Sequence, residues 1–136
     1  MTVHAWLGYS AHAWGKDELH PISKSGSDWL HLGLTIVDSL DTLLLAGLTE
    51  QYAAAREWVV AHLEFETDQG VSVNVFETTI RVLGGLLSAH HLTPGGDAQL
   101  LAKAVSLAPR LAAACGVTAS GVPLSGACAG GARAQR

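Results

Sequence analysis

In the stretch NVFETTIRVLGGLLSAHHL, residues 74–92, Glu77 and Arg81 stand one helical turn apart among apolar residues. Two accounts of the pair follow from this spacing. In the first, Asn74, the only asparagine of the chain, is an N-cap. Glu77 then falls at the third helical position, where a capping-box carboxylate reaches back to the cap's amide, and Arg81 completes an i,i+4 ion pair. In the second, Phe76, Ile80 and the glycine pair Gly84 and Gly85 imply a helix packed closely by its neighbours. A carboxyl group enclosed in such a low-dielectric setting resists ionisation and is able to act as a general acid near neutral pH.

A second acidic pair lies upstream. Asp38 and Asp41 sit three residues apart in LGLTIVDSLDTLLL, residues 32–45, a segment otherwise rich in leucine, isoleucine and valine. Burying an ionised carboxylate costs several kcal/mol unless it is paired or hydrogen-bonded. The structural account pairs Asp38 with an arginine and gives Asp41 the backbone amides of a neighbouring loop. The functional account is a carboxylate-lined pocket.

Other chemistries find no support. The seven histidines include no H-E-x-x-H pair, and the adjacent His90 and His91 point to different faces of a helix, so no metal site is expected among them. VLGGLL lies inside a helical pattern rather than between strand and helix, so its glycines predict close packing, not a phosphate cradle. ASGVPLSG has no G-x-S-x-G elbow. A net charge of −4 with scattered Lys and Arg leaves no electrostatic footprint for nucleic acid. No apolar run approaches the length of a membrane span, and MTVHAWLGYS lacks the charged start and apolar centre of a signal peptide. The two cysteines, Cys115 and Cys128, are expected to be free thiols, because a bridge between them would staple little structure.

These side chains must be held by helices, since the apolar spacing reads helical almost throughout. The 136 residues, 49% hydrophobic and 15% charged, with a mean hydropathy of +0.27, supply one core. The spacing predicts a first helix on Val3, Trp6, Leu7, Ala11 and Trp14, stopped by Gly15. A loop follows over KDELHPISKSGSD. A second helix spans Leu32 to Leu45, buried on nearly every side and ended by Gly47. The third, Glu50 to Leu63, turns Tyr52, Ala55, Trp58, Val59 and Leu63 inward and Arg56 and Glu57 outward. The fourth carries an inward stripe of Phe76, Ile80, Leu83, Leu87 and His90, and the fifth runs from Asp97 to Ala114. The reading is an all-α fold of helical hairpins without a sheet. From Cys115 the composition becomes rich in glycine and alanine with no periodicity, and residues 115–136 are expected to form a disordered tail.

Three segments, in this order and at these separations, carry a resemblance: HAWLGYSAHAWGKDELHPIS, LGLTIVDSLDTLLLAGL and VNVFETTIRVLGGLLSAHHL. Together they resemble the opening of the catalytic domain of the class I α-1,2-mannosidases, glycoside hydrolase family 47, over roughly residues 4–114. The form most similar is that of the endoplasmic reticulum, with the degradation-enhancing mannosidase-like members second. The resemblance implies an (α/α)7 barrel, of which residues 1–114 would form the first hairpins. It implies inverting, calcium-dependent removal of mannose from the high-mannose N-linked glycans of glycoproteins, in the endoplasmic reticulum or Golgi. Glu77 becomes the general acid, Arg81 a substrate-contacting arginine and Asp38 a carboxylate of the same pocket. The base carboxylates and the threonine that binds calcium lie, by the same resemblance, in a part of the family domain that this chain does not match, so no metal ligand is assigned here. TASGVPLS resembles the family's T-P-S-G-I-P-Y segment, while GACAGGARAQR departs from it. The alternative is a non-catalytic helical fragment or glycoprotein-binding relic without hydrolase activity of its own.

Overall fold

The computed structural model describes residues 1–65, 72–116, 118–120, 122 and 125–128. Helix α1 spans Thr2–His12, α2 Leu34–Leu45 and α3 Thr49–His62. One continuous helical rod then runs through α4, Val75–Glu77, a wider π-helical turn, Thr78–Leu83, and α5, Gly84–Leu92. Helix α6 covers Ala98–Gly116. The rod is the predicted fourth helix, so the expected helices are all present. None of the described helices is long and apolar enough to cross a membrane.

The short connection 46–48 turns α2 back into α3, with Gly47 at φ 68°, a left-handed conformation that glycine adopts without strain. Helix α2 packs against both α3 and α5, and α6 closes against α5 and α3. Its Ile36, Val37 and Leu40 have no exposure and Leu43 has 1%, which agrees with a helix apolar on nearly all sides. They share one core with Ala55, Val59 and Leu63 from the α3 side, Val82, Leu86 and Ala89 from the rod, and Leu100, Ala104 and Leu107 from α6.

Several sequence expectations need correction. The segment KDELHPISKSGSD contains an antiparallel hairpin of β1, Glu18–His20, and β2, Ser25–Ser27, registered Glu18↔Ser27 and His20↔Ser25. Strands this short show no alternation to read. A second small pair joins β3, Ser72–Asn74, to β4, Gly126–Cys128, so the expectation of no sheet fails in both places. Strand β3 ends before the helix begins at Val75, and β4 belongs to the segment expected to lack structure. The remainder of that expectation, over 117, 121, 123–124 and 129–136, lies outside the described residues, as do the cysteine side chains.

The predicted stripes were displaced in two helices. In α1 the buried residues are Trp6 and Tyr9, joined by Ala13 just after its end, while Val3 and Leu7 face outward. In the rod the buried face is Val75, Thr78, Val82, Leu86 and Ala89, and Phe76, Ile80 and Leu87 are exposed. The cause is the small residues. A Cβ on Gly85 would stand 3.0 Å from the Val37 carbonyl oxygen, so α5 comes close to α2 there, which buries Leu86 and Ala89 on that side and leaves Leu87 outward. Arg56, expected to point outward, is half-buried and paired with Asp97.

Candidate active site

Asn74 has extended backbone geometry, and its side-chain oxygen accepts the Glu77 amide at 3.0 Å. The capping account is therefore right about the backbone cap and about the i,i+4 ion pair of Glu77 with Arg81, and not about a side chain reaching back to the cap's amide. The Glu77 carboxylate turns along the helix to Arg81, whose Nε donates to Glu77 Oε2 at 2.6 Å. Arg81 also reaches across to α2, where its terminal Nη1 donates to Asp38 Oδ2 at 3.0 Å. The structure thus joins all three residues through one guanidinium, whose planar fork suits two acceptors in fixed directions.

Burial and charge act against each other at this cluster. The side chains retain 25% exposure at Glu77, 33% at Asp38 and 42% at Arg81, so the cluster is a partly open surface site. Burial raises the Asp38 carboxyl above its ordinary range, the hydrogen bond and charge of Arg81 work to lower it, and Asp41 and Glu77 push it up again. Arg81 is raised by its hydrogen bonds to both carboxylates and stays a cation throughout. The arrangement suits a polar ligand that approaches two carboxylates and a fixed cation.

Asp41 has a different partner from the one expected: Ser88 Oγ donates to its Oδ2 at 2.7 Å, a bond between α2 and α5 rather than to loop amides. The carboxylate that gathers loop amides is Asp17, which sequence reasoning missed. It is 1% exposed and accepts the backbone N–H groups of Trp29, Leu30, His31, Leu32 and Leu34 at 2.5–3.0 Å. Burial works to raise this carboxyl, but the amides of Leu34, Trp29, Leu30 and Leu32 outweigh it and hold it below its ordinary range. The bonds fix the chain at the first turn of α2, one turn before Asp38. Gly33, at φ 60°, passes there so close to the Trp58 ring that a Cβ would collide with it.

A second cluster sits around the connection between α5 and α6. Arg56 makes a two-pronged pair with Asp97, and Asp97 Oδ1 also accepts the amides of Gln99 and Leu100 at the start of α6. Arg56 and the amides lower the Asp97 carboxyl against its desolvation. The composition of this cluster is that of a helix cap tied to a neighbouring helix.

The sequence pattern of Glycosyl hydrolase family 47 matches residues 1–134. Over 123 residues the chain is 50% identical to the endoplasmic reticulum mannosyl-oligosaccharide 1,2-alpha-mannosidase of Rattus norvegicus, covering 90% of this chain and 18% of that protein. A protein of the same name from Schizosaccharomyces pombe is 48% identical over 125 residues, covering 90% of this chain and 23% of its own length. The solved structure of an alpha-1,2-mannosidase from Trichoderma reesei superposes with a TM-score of 0.79 at 33% identity, covering 90% of this chain and 27% of that one. The chain spans about a quarter or less of each of these relatives. Its helical hairpins match part of the (α/α)7 barrel of the alpha-1,2-mannosidase fold. A pattern matched over nearly the whole chain, relatives at half identity and a shared fold lead to one conclusion: this chain belongs to glycosyl hydrolase family 47.

Proposed function

We propose that this chain supplies the acid side of the active site of an inverting α-1,2-mannosidase that trims high-mannose N-linked glycans of glycoproteins in the endoplasmic reticulum or Golgi. Residues 1–114 are the N-terminal portion of its barrel. The observation that carries the reading is the convergence of Glu77 and Asp38 on Arg81, within a chain of this family.

The chemistry runs as follows. Glu77 carries the proton on Oε1, the oxygen not engaged by Arg81, and delivers it to the glycosidic oxygen as the bond to the anomeric carbon breaks. Water attacks that carbon from the opposite side and loses its proton to a base carboxylate, so the sugar leaves with inverted configuration. Arg81 holds Glu77 in place and offers its guanidinium to sugar hydroxyls, and Asp38 accepts hydrogen bonds from them.

The family implies a calcium ion. Among the described residues no three His, Cys, Asp or Glu side chains gather as ligands, and the carboxylates of the site both face the Arg81 cation, which repels a metal. These residues do not fit the ion, and no step here passes through it.

The test is a chimaera in which this chain replaces the matching 123-residue segment of the rat relative. Mannose released from a high-mannose oligosaccharide is expected from the chimaera and not from its Glu77→Gln variant. A folded chimaera without mannose release, beside an active parent, would favour the non-catalytic reading.

A further inference from the structure

The segment after α6 returns to the start of the rod. Thr118 ties the turn in which the return begins: its hydroxyl donates to the Val122 carbonyl at 2.6 Å, a local side-chain-to-backbone bond of the kind threonine makes in turns. Residues Gly126–Cys128 then form β4 and pair with β3 in the register Ser72↔Cys128, Val73↔Ala127 and Asn74↔Gly126. One step further along the same register, the Val75 amide donates to the Ser125 carbonyl at 3.1 Å. Val75 is the first residue of α4, so the ladder continues past the point where the helix starts.

That overlap bears on Glu77. The first amides of a helix have no partner within it. Here the Val75 amide is taken by Ser125 and the Glu77 amide by the Asn74 side chain. Asn74 itself lies in the ladder, opposite Gly126. The cap and the first helical residue are thus both tied to the returning segment, just ahead of the carboxylate that faces Arg81. Two three-residue strands add little stability of their own. What they supply is direction: they set how the chain enters the helix, and Glu77 stands in its first turn.

We infer that β4 and the Ser125 carbonyl form a clasp that positions Glu77 against Arg81. Its effect on turnover rests on the proposed mannosidase function, whereas its effect on the Glu77–Arg81 bond does not. Ala127, far from Glu77 in sequence, is the place to break it. Bonded and non-bonded pairs alternate along an antiparallel ladder. Val75 and Ser125 form a bonded pair, so Asn74↔Gly126 is unbonded and Val73↔Ala127 is the next bonded one. Ala127→Pro removes the donor of that pair, while Ala127→Val keeps it and suits a strand.

Two measurements test this. In the 136-residue chain, nuclear magnetic resonance should detect a coupling across the hydrogen bond from the Val75 amide to the Ser125 carbonyl, and an Arg81 Nε–H signal protected from exchange by Glu77. Ala127→Pro should abolish both and Ala127→Val should keep both. The core amides of Val37 and Val59 should stay protected in all three chains. In the chimaera, Ala127→Pro should lower kcat by about 10²-fold, the effect of displacing a reacting group by about 1 Å. KM should move much less, and Ala127→Val should turn over like the wild type. A wild-type chain without the coupling overturns the inference, as does an Arg81 signal or a kcat that Ala127→Pro leaves unchanged. Loss of core protection in Ala127→Pro also overturns it, since the strands would then support the whole fold rather than Glu77. A wild-type chimaera that releases no mannose defeats the proposed function instead, and the resonance signals then decide the clasp.

Discussion

Glu77 and Asp38 reach one guanidinium because Arg81 presents Nε and Nη1 in different directions of a single plane. A lysine offers a point charge on a flexible stem, so Arg81→Lys in the chimaera should hold one carboxylate at a time. We expect kcat/KM to fall about 10- to 100-fold, equivalent to one charge-assisted hydrogen bond; steady-state kinetics near wild type would contradict this. Glu77→Gln should lower kcat by about 10²–10⁴-fold, the usual contribution of a general acid, with the thermal midpoint little changed because the Asn74 cap uses the Glu77 backbone. These residues were legible because each belongs to a local pattern: a cap, an i,i+4 pair, a carboxylate in an apolar helix. Asp17 was not legible, since its partners are backbone amides, which every residue but proline carries and no sequence marks. Its carboxyl, like that of Asp97, lies below the ordinary value of 3.8. A carboxyl lowered in the fold contributes its full stability above the unfolded value and loses it as pH falls through the folded one. The thermal midpoint should therefore be level down to about pH 5 and fall below about pH 4. Asp17→Asn, which turns an NH2 group toward amide donors, should cost about 3 kcal/mol at neutral pH. It should also flatten the acid slope in circular-dichroism melts, and a variant with the wild-type profile would show that the loop does not depend on Asp17.

At the scale of elements, helices were readable from apolar spacing and their faces were not. The rod from Val75 to Leu92 has apolar residues on two faces, so periodicity alone could choose either. It chose the larger side chains, Phe76, Ile80 and Leu87, whereas the structure buries Val82, Leu86 and Ala89 beside Gly85. The glycine pair did predict close packing, and α5 approaches α2 at Gly85; what the spacing did not show is that this approach decides which face of the rod is buried. The neighbour of a Cβ at Gly85 would be the Val37 backbone, 3.0 Å from its carbonyl oxygen and unable to rotate away. Gly85→Ala should therefore destabilise the chain by about 1–3 kcal/mol, as overpacking does, despite alanine's better helix propensity. Gly84→Ala, one residue away with only the Thr79 carbonyl at 3.7 Å, should be neutral or stabilising by up to about 1 kcal/mol. Chemical unfolding of both variants separates the effects, and equal midpoints would refute the packing argument. The strands escaped reading for a different reason: β1 and β2 span three residues each, and their hairpin is closed at its open end by the Asp28 carboxylate, which pairs with Lys16 and accepts the Asp17 amide.

For the whole molecule, the open side of the site and the exposed apolar residues point the same way. Phe76 and Ile80 are 64% and 52% exposed, on the helix that carries Glu77 and Arg81, and the chain covers 18% of the rat relative's length. We expect that in the complete barrel this ridge is covered by segments outside the present chain, which would also close the site against water. Inverting hydrolysis needs a second carboxylate poised to activate water across the scissile bond. Among the described acidic residues near the site, Asp38 pairs with Arg81 and Asp41 with Ser88, and under the proposed function we expect that role to fall to a residue elsewhere in the barrel. The 136-residue chain alone should accordingly release no mannose from a high-mannose oligosaccharide, with or without added calcium, and its apolar ridge should bind a hydrophobic dye such as ANS. The chimaera should both release mannose and lose the dye signal, because one event, closure of the barrel, brings the missing carboxylate and covers the ridge. Calcium-dependent turnover by the short chain would break this link and make Asp41 the carboxylate to test first, through Asp41→Asn.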